Sequence, residues 1–267
     1  MAGKMSHPVI SKIRDTLSSI LRAAADCEYL IKSPMEGLRL PLDKRAKQPK
    51  PTITPDEFNK LVELVAEPYA TMLYVAIWTG LRVSELIALK WRSVDLESLS
   101  ITIAERCTRG DWSVPKTNAS AATIGVEPHV IDRILRLKTL TVEVKAGWAT
   151  RHYKAVKSSE ADGLVFASVK EGRPMNDQNV LKRHIQPAAR KLKLSVNWQV
   201  LRRSHATWLV QAGGDVKSVQ GQMRHSRIST TLQIYAQCVP EQQRRALQQL
   251  SKFAGAVQAN SRSITVQ

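Results

Sequence analysis

The chain has 267 residues, of which 40 are lysine or arginine and 23 are acidic, giving a formal charge of +17 and a pI near 10.1. This length suffices for one large domain with its own core and a smaller piece. The basic excess favours a polyanionic partner, most commonly nucleic acid, over a merely basic soluble protein, because the basic residues fall beside the polar motifs of the chain.

Three cysteines, Cys27, Cys107 and Cys238, stand far apart without C-x-x-C spacing. They argue against a disulfide framework and a zinc site, and they indicate a reducing compartment. The longest apolar run, residues 69–81, is too short to cross a bilayer, and the N-terminus lacks the uninterrupted apolar segment of a secretion signal. We therefore expect no membrane partner and a location in the nucleoplasm or the bacterial cytoplasm.

Residues 9–31 carry apolar side chains at helical spacing, which predicts one or two helices. Residues 33–51 are rich in proline and basic, as an interdomain linker near a negative surface or an ordinary solvated loop would be. Three basic side chains in this segment are candidate DNA contacts, namely Lys44, Arg45 and Lys47. We expect residues 1–48 to form a helical segment with its linker and residues 49–267 to form the main domain.

A helix start is predicted by Thr54 as the capping residue, Pro55 in the first turn and Glu57 three residues after the cap. Apolar periodicity then predicts a cluster of helices over residues 58–89. Between residues 101 and 126 apolar and polar side chains alternate in short runs separated by turns. This pattern predicts short strands and a small antiparallel sheet.

Residues 128–140 again show the helical pattern. The basic segment 145–159 carries Trp148 and Tyr153 between its cations, and it is interpreted as a longer loop or a helix extension that touches a nucleic-acid backbone. The remaining helices are expected at residues 176–192, 199–212, 216–223, 229–237 and 241–254.

The most informative stretch is residues 198–237, which places Arg202 in a helical pattern, His225 after a turn and Tyr235 on a short amphipathic segment. During displacement at a phosphodiester, negative charge spreads over the equatorial oxygens, so a catalyst needs fixed cationic donors and an in-line nucleophile. Arginine can grip two such oxygens, and tyrosine can form a phosphate ester that survives as an intermediate. The stretch therefore suits attack on a phosphodiester.

The strings LRRSHAT, MRHS and TTLQIY in this stretch resemble the C-terminal signature of the tyrosine recombinase or phage integrase family, which usually reads L-R-H-T-x-A-T, L-G-H-S and T-x-x-x-Y. Further upstream, TGLRVSELIAL resembles the family pattern T-G-x-R-x-[ST]-E-[LI]. The resemblance implies an α+β, mainly helical catalytic domain with a small antiparallel sheet. Residues before 51 resemble only the latter part of the family's helical core-binding domain.

The resemblance also implies a role for each matching side chain. Arg82 and Arg202 would grip the phosphate, and His225 would donate a hydrogen bond to it. Tyr235 would be the nucleophile. Lys116, in the turn between two predicted strands, would protonate the departing 5′ oxygen as the family's hairpin lysine does. The remaining expected roles are structural support from Glu85 and DNA contacts from Arg203 and Arg224.

Two positions depart from the family pattern. Gln199 stands where the family commonly has histidine, and glutamine can donate a hydrogen bond to a phosphoryl oxygen but cannot keep a proton near neutral pH. Loss of a positioned acid or base costs roughly 10²- to 10⁴-fold in rate. Arg224 stands where glycine is common. His205, one helical turn after Arg202, is expected to be a satisfied, partly buried histidine and not a catalytic base.

The implied function is a site-specific DNA recombinase or integrase that works through a 3′-phosphotyrosyl intermediate without a metal or another cofactor. Its partners would be double-stranded DNA and further copies of itself, assembled as a tetrameric synapse on DNA in the bacterial or phage setting of the family. Residues 241–253 would dock on a neighbouring protomer or pack on their own domain. Two alternatives are a catalytically impaired, DNA-binding integrase relic and a type IB topoisomerase-like enzyme.

Overall fold

The computed structural model describes residues 5–41, 50–114, 122–146 and 148–236, except for the side chain of Ala146. The chain divides into two compact units, Met1–Pro49 and Lys50–Gln267. The domain roles expected for residues 1–48 and 49–267 stay predictions. Among the described helices, none combines the length and the apolar character that a membrane crossing requires.

The first unit contains the described helix α1 (His7–Asp26), which has a proline in its first turn. Its apolar side chains recur at helical spacing, but Ile13 and Ile20 remain 50% and 60% exposed. Within residues 5–41 no side chain is buried. The described part of this unit is therefore not held together by a core of its own.

The second unit begins with a helical cluster formed by α2 (Pro55–Leu64), α3 (Tyr69–Thr79) and α4 (Val83–Ile87). The predicted start of α2 is confirmed: the Thr54 hydroxyl accepts the backbone N–H of Glu57, and the Glu57 carboxylate accepts the backbone N–H of Thr54. Eight of the eleven residues of α3 are buried, so this helix lies in the centre of the core.

Short strands follow the helical cluster, as the alternating pattern predicts. They are β1 (Val94–Asp95), β2 (Ser100–Thr102), β3 (Arg106–Thr108), β4 (Asp111–Ser113) and β5 (Thr123–Gly125). One antiparallel sheet has the order β1-β2-β5, with Ile101 opposite both Val94 and Ile124, while β3 and β4 form a separate pair. The prediction of a mainly helical α+β fold with small antiparallel sheets is confirmed.

The interpretation of residues 145–159 as a loop or a helix extension is wrong. After α5 (Pro128–Arg136) the chain forms a two-stranded antiparallel hairpin, β6 (Thr141–Ala146) and β7 (Ala149–Lys154). The pattern of a strand begins before residue 145, where Val142 and Val144 alternate with polar side chains. Because the interpretation started at residue 145, it cut the first strand in two and lost this alternation.

The C-terminal half of the described chain is helical again. It contains α6 (Asp177–Val180), a π-helical turn (Leu181–Ile185), α7 (Gln186–Lys191), α8 (Trp198–Gln211), α9 (Val216–Met223) and α10 (residues 228–236). The helix predicted over residues 241–254 lies outside the described residues.

Helix α8 crosses the core beside α3 and also holds the segment that leads into α2. The buried Ser204 hydroxyl accepts the backbone N–H of Ile53 at 2.9 Å, and the Trp208 indole donates to the Ile53 carbonyl at 2.9 Å. Both the backbone N–H and the carbonyl of Ile53, which precedes the Thr54 cap, are therefore hydrogen-bonded to α8.

We predict that Thr54→Ala lowers the free energy of unfolding by about 1 kcal/mol, because it removes one of the two reciprocal bonds that cap α2. Urea unfolding of the full chain measures the change. Thr52→Ala, which removes an exposed threonine hydroxyl two residues earlier, is the matched control. Equal losses for the two variants would contradict a capping role for Thr54.

Candidate active site

Arg202 lies on α8, and its side chain binds the C-terminal ends of two other helices, α3 and α9. One of its terminal nitrogens donates to the carbonyl of Gly80, at the end of α3, and the other donates to the carbonyl of Met223, at the end of α9. Gly80 ends α3 in the left-handed conformation with φ of 64°. Arginine has five N–H donors, so two bonds leave further donors for a ligand.

The electrostatic setting of Arg202 is strongly positive. Burial, followed by the like charges of Arg82 and Arg224, lowers the pKa of Arg202 from its usual range to about 9, while Glu85 acts in the opposite direction. The guanidinium therefore stays charged at neutral pH. A bound anion would relieve the repulsion among these cations.

Arg82 and Glu85 are held together at the start of α4. The Arg82 Nη1 donates to Glu85 Oε1 at 2.8 Å, and the backbone N–H of Arg82 donates to Glu85 Oε2 at 2.8 Å. The carboxylate is 3% exposed, whereas the Arg82 side chain is 39% exposed. The buried acid thus orients an arginine that remains accessible to a ligand.

Arg224, expected among the DNA contacts, lies in the interior with a side chain that is 1% exposed. Its Nη2 donates to Glu85 Oε2 at 2.8 Å. Burial by itself would raise the pKa of Glu85, but the charge of Arg224 and hydrogen bonds from Arg82 and Arg224 outweigh it, so the pKa lies below its usual range. Glu85 is therefore ionised and shared by two arginines.

His225 follows directly after Arg224. Its Nδ1 lies 3.0 Å from the Thr231 hydroxyl on α10, and its Nε2 makes no hydrogen bond to another described residue. Burial, with the charges of Arg202, Arg82 and Arg224 in addition, lowers the pKa of His225 to about 4. The imidazole is therefore neutral at pH 7, with Nε2 available to a ligand.

A cavity of about 270 Å³ brings several of the expected residues together. Gln199, Arg202 and His225 line it. Gln199 is exposed, and its side-chain amide makes no hydrogen bond to another described residue. Arg203 also lines the cavity while donating to the Pro51 carbonyl at 2.7 Å. The full lining is Lys50, Gln199, Arg202, Arg203, Met223, His225, Thr230, Gln233 and Ile234.

Tyr235 is not among the residues that line this cavity. Its hydroxyl donates to the carbonyl of Gly214, in the connection between α8 and α9, and its ring packs on the small apolar cluster around Val219 and Met223. Ile234, the preceding residue, is buried in the same cluster. The structure therefore does not bring the expected nucleophile together with Arg202 and His225.

Several expected residues cannot be located. Lys116, Lys44, Arg45 and Lys47 lie outside the described residues. The strands on either side of Lys116 do not pair with each other: β4 pairs with β3 and β5 pairs with β2. The segment that carries Lys116 thus connects two different sheets.

Other features of the site were missed by the sequence interpretation. The carbonyls of Gly80 and Met223 hold Arg202, and backbone groups give no signal in a motif search. Thr231 forms a hydrogen bond with the His225 ring, a role that the motif TTLQIY, which contains Thr231, does not reveal. Lys50 lines the cavity and was assigned only to the basic linker.

His205 is buried, as expected, but it is not fully satisfied. Its Nε2 has no hydrogen-bond partner among the described residues. Burial and the charge of Arg202 lower the pKa of His205 to about 4, and a hydrogen bond involving the Ile77 backbone acts in the opposite direction. The residue is therefore a neutral core histidine beside the site.

No three His, Cys, Asp or Glu side chains within the described ranges stand close enough together to hold a metal ion. The polar groups of the site are instead guanidinium, imidazole and amide donors around one carboxylate. Such a set binds a phosphate or another oxyanion.

Comparison with known protein families matches residues 51–242 to the phage integrase family. The match spans most of the chain and includes Arg82, Glu85, Gln199, Arg202, His225 and Tyr235. The chain belongs to the phage integrase family. Its members include tyrosine recombinases, in agreement with the motifs around Arg82, Arg202, His225 and Tyr235.

Relatives of this integrase-family chain include the ICEBs1 integrase of Bacillus subtilis, 25% identical over 249 residues, which are 90% of this chain and 64% of the relative. A XerC-like tyrosine recombinase of Caldanaerobacter subterraneus is 24% identical over 264 residues, 92% of this chain and 66% of the relative. The chain thus spans about two thirds of the length of these relatives.

Solved structures share the fold of this integrase-family chain. The Tn1549 transposon integrase, in complex with a circular intermediate DNA, superposes with a TM-score of 0.70 at 19% identity, covering 92% of this chain and 80% of the other. A lambda integrase dimer bound to a COC′ core site gives a TM-score of 0.55 at 18% identity, with coverages of 83% and 71%.

We predict that Gly80→Ala lowers the free energy of unfolding by about 2 to 5 kcal/mol, the sum of left-handed strain and overpacking. An added Cβ would lie 2.5 Å from Cδ2 of the buried His205. Gly110→Ala is the matched control, because Gly110 also has positive φ, 87°, but faces open space. Chemical denaturation that finds equal losses would contradict the packing of Gly80 on His205.

We also predict that His205 makes the free energy of unfolding depend on pH. The pKa of His205 is about 4 in the folded chain. Since an unfolded histidine titrates near 6.5, the unfolded state binds more protons between these values, and stability falls as pH drops from about 6.5 to 4. In His205→Gln, the loss of unfolding free energy between pH 7 and pH 5 should be smaller than in the wild type by about 2 kcal/mol. Parallel pH curves for the two proteins would refute this.

Proposed function

We propose that this protein cleaves and rejoins DNA strands as a site-specific recombinase of the tyrosine type. The observation that carries the proposal is the convergence of Arg202, His225 and Gln199 on one cavity, with Arg82 oriented beside Arg202 by Glu85. Arg82 precedes the other three residues by more than a hundred positions in the sequence. The group they suit is a DNA phosphodiester, because the chain carries a formal charge of +17.

In the proposed reaction, the Tyr235 oxygen bonds to phosphorus and its proton passes to solvent, since Gln199 cannot keep one. The bond from phosphorus to the 5′ oxygen breaks, and Lys116 gives that oxygen a proton. A 3′-phosphotyrosyl bond and a free 5′ hydroxyl result. Attack by the 5′ hydroxyl of a partner strand reverses the step and releases Tyr235 without a metal or ATP.

The cations act on the transition state of this reaction. Arg82 and Arg202 place guanidinium donors on the phosphoryl oxygens, where charge develops. His225, neutral with a pKa of about 4, donates from Nε2 while Nδ1 accepts from Thr231. Gln199 contributes an amide donor, so proton transfer at this position is absent and the expected rate is lower than with histidine.

Tyr235 must leave Gly214 for the reaction to occur. The hydrogen bond to the Gly214 carbonyl and the burial of Ile234 hold α10 in the described arrangement. Unwinding of α10 between Thr231 and Tyr235 would move the tyrosine and leave Arg224, His225 and the bond of His225 to Thr231 in place. DNA binding at the cavity would supply the free energy for this movement.

Further proposed DNA contacts are Arg203, which lines the cavity, and the linker residues Lys44, Arg45 and Lys47. Residues 1–48 would act as a DNA-binding segment in addition to the catalytic domain. The proposed oligomer assembles on DNA. In this oligomer, residues 241–253 of a neighbouring protomer would occupy an apolar groove of about 1140 Å³, which is lined by Phe58, Trp78, Trp208 and other side chains.

A second candidate function is DNA binding without covalent chemistry. Two observations favour it, namely Gln199 in place of the usual histidine and the bond of Tyr235 to Gly214. A type IB topoisomerase-like activity shares the same chemistry but relaxes supercoils without joining two duplexes. Covalent trapping separates the first alternative from the recombinase, and plasmid relaxation separates the second.

The test is covalent capture. The full chain is incubated with sheared, nicked genomic DNA of its source organism, denatured with detergent, and the DNA retained on protein is sequenced. We expect the wild type to retain DNA that shares a common site, and Tyr235→Phe to retain about a thousandfold less or none, because phenylalanine has no nucleophilic oxygen. Tyr69→Phe, on α3 and not part of the cavity lining, is the matched control and should retain as much as the wild type.

Each result decides between the candidates. Salt-sensitive binding without an adduct in the wild type would establish the non-covalent alternative. Equal adducts in the wild type and Tyr235→Phe would overturn Tyr235 as nucleophile. Adducts accompanied by plasmid relaxation, but never by joined duplexes, would establish the topoisomerase-like activity.

A further inference from the structure

Arg224 occupies a backbone position that disfavours it. It ends α9 with φ of 50° and ψ of 47°, the left-handed conformation in which glycine is the usual residue. Its backbone N–H donates to the Gly221 carbonyl, and the next N–H, of His225, donates to the Gln220 carbonyl. Since arginine in this conformation is strained, its side chain must supply a compensating interaction.

That interaction is the buried ion pair with Glu85. The two side chains are 1% and 3% exposed, and their 2.8 Å bond joins residues 139 positions apart in the sequence. Glu85 gives its other oxygen, Oε1, to Arg82 at 2.8 Å. The Glu85 carboxylate is thus shared by Arg82, which is partly exposed to solvent, and Arg224, which is buried.

The ion pair ties two phosphate-binding groups to each other. Glu85 and Arg82 belong to the start of α4, and Arg224 immediately precedes His225. Arg202 secures the same turn from the other side, through the carbonyl of Met223. Three arginines therefore hold the turn from Met223 to His225. Arg202 and Arg82 donate to the backbone carbonyls of Met223 and Arg224, the latter at 3.5 Å, and Arg224 binds Glu85 with its own side chain.

We propose that Arg224 is a positioning residue, which sets His225 and Arg82 against the phosphate through Glu85 and does not itself touch DNA. The expected effect of Arg224 on catalysis rests on the proposed function. The structural part of the inference is independent of that function, because the pair exists without DNA.

The experiment compares Arg224→Met with Arg190→Met. The second variant also loses one positive charge, but from an exposed side chain at the end of α7. The substrate is the nicked duplex recovered by covalent capture. At saturating DNA we expect Arg224→Met to form the adduct about 10- to 100-fold more slowly, because displaced groups lose alignment with the phosphate. The dissociation constant for the duplex should stay within about twofold, since a buried arginine neutralises no phosphate. Arg190→Met should keep the wild-type rate.

A chemical rescue separates positioning from general damage to the fold. Arg224→Gly relieves the backbone strain and leaves a space beside Glu85 for free guanidinium ion. Millimolar guanidinium should restore part of the rate in this variant, and sodium chloride at equal ionic strength should not. A contact to DNA would instead appear as weaker binding and a salt slope reduced by about 0.9 in Arg224→Met. That result, or an unchanged rate, would overturn the proposal.

A measurement without DNA keeps the inference testable if no adduct forms. The His225 ring is bound to Thr231, and Arg224 ties the turn that carries His225 to Glu85. In the protein without DNA, NMR cross-peaks between the His225 ring and Thr231 should be weaker in Arg224→Met than in the wild type or Arg190→Met, because the turn loses this ion pair. A missing wild-type adduct with weaker cross-peaks would reject the recombinase and retain the positioning of His225. Unchanged cross-peaks would reject the positioning.

Discussion

The buried carboxylate of Glu85 holds together two parts of the site that lie 139 residues apart in the chain. One oxygen orients Arg82 at the start of α4, and the other receives Arg224 at the end of α9. Removing either partner of a buried ion pair leaves an uncompensated charge in the interior. The relation between the accessible arginine and His225 therefore depends on this one acid, with Arg202 and its two carbonyl partners as the second connection.

The same arrangement explains why the site is prepared for an anion. Three guanidinium groups surround a single carboxylate, so the cations repel one another, and the pKa of Arg202 falls to about 9 through burial and these like charges. A phosphodiester would restore the balance of charge. Tyr235, by contrast, is held at Gly214, so the groups proposed to bind phosphate are assembled and the proposed nucleophile is not among them.

Much of this could be predicted from the sequence because it depends on local pattern. The capping box at Thr54 and Glu57, the apolar spacing of α3 and the motif strings each carry their signal within a few residues. The hairpin β6–β7 was missed because its alternation was cut at residue 145. The burial of Arg224 could not be predicted from the sequence. An arginine in a basic protein is expected at the surface, and its partner Glu85 lies 139 residues away in the chain. The Gly214 contact of Tyr235 was equally hidden, because it is made to a backbone carbonyl.

The most direct measurement is a structure of the full chain with a nicked duplex that carries its own site. The account predicts a phosphate bound by Arg82, Arg202 and His225, Glu85 still shared by Arg82 and Arg224, and the Tyr235 oxygen moved from Gly214 to the phosphorus. A phosphate bound elsewhere on the surface, or one bound in the cavity with Tyr235 still on Gly214 and no adduct, would contradict it.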